Sequence, residues 1–146
     1  MSSEIQSETS TEFIIQSIAI HTDAKSAYRF IADPKNLPLW TNAFKEANES
    51  RALMNTPFGT INIGLKTLGN ENEGTIDWHM ELPDGTVGVA YSRIIPVKER
   101  CIYSFILLPP PLPLEELEGK LEEQGGILRH ELINLSELLK ERQNVS

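Results

Sequence analysis

Residues 74–96 read GTIDWHMELPDGTVGVAYSRIIP, two strand-like runs joined by Pro83-Asp84-Gly85, and most of the architecture follows from them. The runs carry Ile, Trp, Met, Val and Tyr, side chains that fit a pleated, half-buried surface. A type I turn with glycine in the left-handed position places Leu82 opposite Thr86. Counting back sets Met80 against Gly88 and Trp78 against Ala90. Successive residues alternate across a strand, so Ile76, Trp78, Met80 and Leu82 share a face with Gly88, Ala90 and Ser92. Asp77, His79 and Glu81 share the other face with Val87, Val89, Tyr91 and Arg93. An antiparallel sheet usually buries its apolar face and solvates the other, which turns the Trp78 face inward.

The same punctuation continues on both sides of the hairpin. Turn-favouring residues at Pro57-Phe58-Gly59, Gly69 to Gly74 and Pro96 to Glu99 divide the chain into further strands. The predicted strands are Phe13 to His21, Phe44 to Glu49, Arg51 to Thr56, Thr60 to Leu68, Thr75 to Leu82, Thr86 to Ile95 and Arg100 to Leu108. No long amphipathic segment separates the last six, which excludes parallel crossovers and leaves an antiparallel meander. After the first strand, Thr22-Asp23-Ala24 caps a helix through Ala27, Tyr28, Phe30 and Ile31 that stops at Asp33-Pro34. A second short helical turn is expected from Pro34 to Trp40. Beyond the run Pro109-Pro110-Pro111-Leu112-Pro113, the leucines at 117, 121, 128, 132, 135 and 139 form one stripe of a long amphipathic helix over Leu114 to Arg142. Glu115 and Glu116 suit its first turn, and Lys140 and Arg142 its last.

Composition sets outer bounds. A chain of 146 residues with 40% hydrophobic residues is long enough for one core and typical of a globular domain. No apolar run reaches the roughly 20 residues that span a bilayer, so no integral membrane association is expected. Met1 to Thr11 is polar, aperiodic and unlike a signal peptide; it reads as a disordered leader, with the domain over 12–142, a tail at 143–146 and a cytoplasmic location expected. The formal net charge of -8 argues against nucleic acid as a partner. Much of the acidity lies near the ends, with three acids and no bases in Met1 to Glu12 and eight acids against four bases in Leu112 to Ser146. That distribution suits solvated surfaces. The one cysteine, Cys101, cannot form an internal disulfide and reads as a small buried hydrophobe.

A strand, two short helices, a six-stranded meander and a long terminal helix give the element order of the helix-grip fold. On the opening SIAIHTDAKSAYRFIADPKNLPLW, the hairpin above and the ending LLPPPLPLEELEGKLEEQGGILRHELINLSELLKER, the sequence resembles the START-like (SRPBCC) superfamily, in particular its polyketide cyclase/dehydrase branch. The resemblance spans about residues 12 to 142. It implies an α+β fold in which a seven-stranded antiparallel sheet curves around the C-terminal helix and encloses a cavity for lipids, polyketides or other apolar molecules. Fold alone does not set function within such a superfamily. Some plant members carry a glycine-rich loop at the place of Gly69 to Gly74; the glutamates here depart from a phosphate cradle, and the segment reads as a plain turn.

The candidate ligand contacts are Trp40, Trp78, Met80, Tyr103 and Phe105, with Gly125 and Leu128 on the terminal helix. Ordinary core packing would look the same in sequence. The face of Tyr103 and Phe105 depends on the turn at Pro96 to Glu99, where a slip of one residue would turn them outward. Gly125-Gly126 interrupts the periodic helix at about 1 kcal/mol per glycine. Close approach of the sheet, space for a ligand, or a kink could account for it. A catalytic alternative places His79 with Asp77, Tyr91 and Arg93 on one strand face. Residues two apart on a strand are about 6.6 Å apart, which weakens convergence on one proton or metal. His21, His79 and His130 lack metal-ligand spacing, and no cofactor or metal is expected. The expected partner is therefore a small hydrophobic ligand, with a cyclase or dehydratase as one alternative. A second alternative is a protein-interaction module using a sheet edge or the acidic helix face at Glu118, Glu122 and Glu123. No sequence feature decides between a monomer and a homodimer.

Overall fold

The structure, a computed structural model, describes residues 12–109 and 121–145. The leader at 1–11, most of the proline run and the first predicted turn of the terminal helix, with Glu115, Glu116 and Leu117, lie outside the described residues. Strand β1 (Ile14–Ile20) leads into helix α1 (Ala24–Ile31), a 3-10 turn (Pro34–Asn36) and the single-turn helix α2 (Leu37–Trp40). Asp23 caps α1 by accepting the Ser26 N–H at 2.9 Å, which also holds its carboxyl below the usual range. Asp33 likewise accepts the Lys35 N–H at 3.0 Å ahead of the 3-10 turn.

The strands β2 (Phe44–Ala47), β3 (Arg51–Thr56), β4 (Gly59–Asn70), β5 (Thr75–Glu81), β6 (Val87–Val97) and β7 (Arg100–Leu107) follow, and then helix α3 (Leu121–Val145). They form a seven-stranded antiparallel sheet in the order β1-β7-β6-β5-β4-β3-β2. The meander lies in chain order, and β1 returns to pair with β7. This is the expected α+β helix-grip arrangement, with α3 against the inner face.

The central hairpin has the register read from its turn. Trp78 pairs with Ala90 and Met80 with Gly88, while Gly85 takes φ +89° and donates its N–H to the Leu82 carbonyl at 2.9 Å. The next turn is tighter than its sequence suggests. Pro96 and Val97 remain in β6, paired with Cys101 and Arg100, so only Lys98 and Glu99 bridge the strands. Lys98 accepts φ +58°, a strained value for a side-chain-bearing residue, because the twist of a two-residue hairpin demands it. That register puts Tyr103 opposite Ile94 and Phe105 opposite Ser92, both facing inward and buried.

Leu128, Leu132, Leu135 and Leu139 of α3 are buried against the sheet, as the stripe requires. The two glycines have different surroundings. A Cβ on Gly125 would stand 2.7 Å from Ile14 Cδ1, and its carbonyl accepts the Gln16 side-chain amide at 3.3 Å, so this glycine lets α3 lie close on β1. Gly126 is exposed, and a Cβ added there would have nothing within 4 Å. Gly126→Ala should therefore stabilise the protein by about 1 kcal/mol through helix propensity alone. Gly125→Ala should gain less or lose, because Ile14 must move. Paired urea titrations check this, and equal gains for both variants would refute a tight α3–β1 contact.

Candidate functional site

The hollow of the sheet is not completely filled. A cavity of about 290 Å³ lies between the inner face and α3. Trp40 at the end of α2, Phe44 at the start of β2, Trp78 and Met80 on β5, Ala90 on β6 and Phe105 on β7 form much of its wall. The helix contributes Gln124, Ile127, Leu128 and Glu131. Large residues on β5 face small ones on β6, and the volume left at Ala90, opposite Trp78, is partly open space instead of packed side chain.

Of the candidate contacts read from sequence, Trp40, Trp78, Met80, Phe105 and Leu128 stand on this wall. Tyr103 does not reach it. Its ring lies behind the wall, edge-on to Trp40 at 6.5 Å and to Phe105 at 6.0 Å between centroids, and holds both in place. Its hydroxyl donates to Ser92 Oγ at 2.9 Å, and Ser92 donates onward to the Ile76 carbonyl at 2.6 Å. Burial pushes the Tyr103 hydroxyl well above the usual phenol range, against the opposing pull of hydrogen bonding from Ser92 and Trp78. Gly125 is also absent from the wall, because its missing side chain makes room for Ile14 and not for a ligand.

Asp77, His79, Tyr91 and Arg93 occupy the opposite face of the sheet from Trp78 and line no part of the cavity. Arg93 reaches back to the Glu73 carbonyl at 3.2 Å. Cys101 is buried, and desolvation pushes its thiol up to about 11.

One residue of the wall was not singled out from sequence. Glu131 is only 8% exposed, and its Oε2 accepts the Asn42 backbone N–H at 2.6 Å. It sits three residues after Leu128 and four before Leu135, within the buried stripe, so the signal was a lone carboxylate at a core-facing helix position. Burial raises its carboxyl above the usual glutamate range, with the Asn42 and Ala43 backbone N–H groups opposing the shift. Further polar potential comes from the indole N–H of Trp40, which has no hydrogen-bond partner among the described residues.

The raised carboxyl has a consequence for stability. The folded protein binds the Glu131 proton more tightly than the unfolded chain, so this group's contribution is fully present below the ordinary glutamate value and is lost as pH rises through the raised one. Glu131→Gln keeps an acceptor for Asn42 without the charge. It should raise the melting temperature at pH 7, by about 2–4 °C for each kcal/mol gained, and the advantage should close toward about pH 4. Thermal melts across that range check the sign; a variant less stable than the parent at pH 7 would refute it.

No protein-family model matches the chain, and neither does any curated protein. Solved structures do match. A START superfamily protein from Mycobacterium smegmatis aligns with a TM-score of 0.64 at 13% identity, over 88% of this chain and 97% of that one. The di-domain ARO/CYC BexL from the BE-7585A biosynthetic pathway aligns at 0.63 and 15% identity, with 86% of this chain on 45% of the larger protein. The Aha1 dimer from Colwellia psychrerythraea gives 0.60 at 17% identity, over 88% and 96% of the two chains. Likeness at such identities establishes the fold alone, the helix grip that this chain shares with these proteins.

Proposed function

We propose that this START-like domain binds a small hydrophobic or aromatic molecule in the cavity between its sheet and α3. The observation that carries the reading is the aromatic wall of Trp40, Phe44, Trp78 and Phe105 around about 290 Å³ of unfilled space. That volume lies at the lower edge of the roughly 300–1,000 Å³ of small-molecule sites, which favours a compact ligand of one or two rings over a long-chain lipid. The unpartnered Trp40 indole N–H would be satisfied by an acceptor on such a ligand. A cyclase or dehydratase built around His79 draws less support, since Asp77, His79, Tyr91 and Arg93 are all on the outer face.

The chain has two tryptophans, and both are on the cavity wall, so its indole emission reports directly on this space. Titration with aromatic polyketides and other one- and two-ring compounds should quench or shift that emission saturably, and native mass spectrometry should show a one-to-one adduct. Ala90→Leu, which extends a side chain into the cavity, should abolish the response while the fold persists by circular dichroism. If no compound changed the emission or the mass, the binding reading would fail.

A further inference from the structure

Glu131 gives the cavity a property that its apolar wall alone would not have. Among the described residues it is the only ionisable side chain on the lining: α2 and the segment after it contribute Leu37, Trp40, Thr41, Asn42, Ala43 and Phe44, the strands contribute neutral residues, and the helix adds Gln124, Ile127 and Leu128. Neither the Arg29–Glu71 nor the Lys35–Glu49 ion pair involves Glu131. The carboxylate is thus buried beside open space, held by the Asn42 amide and lacking a countercharge among the described residues. A buried charge without a partner is costly, and whatever enters the cavity must either supply the partner or add to the desolvation.

Four aromatic rings stand on the same wall, and the faces of such rings attract cations. A carboxylate and several aromatic faces around one compact cavity suit an ammonium group attached to an apolar body. A neutral hydrocarbon would leave Glu131 unpaired, and an anion would be repelled by it. The formal net charge of -8 also favours the approach of cations over anions.

We propose that the cavity selects a small apolar amine, bound as its ammonium ion, with Glu131 as the residue that sets this specificity. The inference rests on the cavity being a ligand site, and the test separates the two. Calorimetry and indole fluorescence on the whole protein at pH 7.5 would compare 2-phenylethylamine, 2-phenylethanol and 3-phenylpropanoate, three probes of similar size and different charge. The amine should bind about 10- to 100-fold more tightly than the alcohol, the range of a charge-assisted hydrogen bond, and the acid more weakly than either. In Glu131→Gln the amine should fall to near parity with the alcohol, whose own affinity should change less than about threefold. Glu131→Met, of similar length and uncharged, serves in its place if the glutamine variant does not fold. Equal binding of alcohol and amine to the parent, or an amine preference that survives loss of the carboxylate, would overturn the inference while leaving the cavity reading intact. Failure of all three probes to bind would overturn this inference, and failure of the wider one- and two-ring series as well would overturn the cavity reading with it.

Discussion

Replacing Gly74 by alanine should cost about 4 kcal/mol or more, a large fraction of the stability of an ordinary domain. Two causes add. Gly74 holds φ +78°, a region that a Cβ disfavours by about 1–2 kcal/mol. A Cβ there would also stand on the Ile94 carbonyl oxygen, and relief by backbone movement is blocked from both sides. The Gly74 carbonyl accepts the Ile94 N–H at 2.7 Å, and its own N–H donates to the Asn70 carbonyl at 2.8 Å. Gly85 supplies the control, since it has φ +89° but nothing within 4 Å of an added Cβ. Gly85→Ala should therefore show the conformational cost alone. Urea denaturation of both variants isolates the contact, and a Gly74→Ala loss no greater than that of Gly85→Ala would refute it. The Gly69 to Gly74 segment is accordingly more than a surface turn, because its last residue is a docking point for β6.

The second large effect is expected at Tyr103. Tyr103→Ala should cost about 3–5 kcal/mol, because it removes a fully buried ring against which Trp40 and Phe105 both pack edge-on. Tyr103→Phe isolates the hydroxyl and should cost about 1–3 kcal/mol, as Ser92 loses its buried donor. The conservative variant also distinguishes support from contact. Since the hydroxyl lies behind the wall and points to Ser92, Tyr103→Phe should leave ligand affinity within about twofold of the parent while lowering the denaturation midpoint. A change in affinity without a change in stability would place Tyr103 in the site after all.

The sequence was most informative where a local rule fixes geometry. Pro83-Asp84-Gly85 sets one turn type, that turn sets the register of β5 on β6, and a two-residue alternation then assigns every side chain of the hairpin to a face. The leucine stripe of α3 and the Asp23 cap were legible for the same reason, since each depends on neighbours a few residues away. Pro96 to Glu99 was less readable, because several turn lengths fit it and only pairing with β7 selects the two-residue form.

The site depends on distances that no local pattern encodes. Periodicity places Gly125 and Leu128 near one another on a helix, but only the position of Ile14, more than a hundred residues earlier, gives Gly125 to β1 instead of the cavity. Glu131 was visible as a carboxylate in an apolar stripe, yet its meaning comes from Asn42, Trp40 and Trp78, brought around it by three separate elements. By itself the sequence determined the sheet, the faces of its central hairpin and the helix that grips it, because strand alternation and helical period act over a few residues. Tertiary structure alone decided which inward residues meet a cavity and which meet one another, because that depends on how closely α3 settles on a curved sheet.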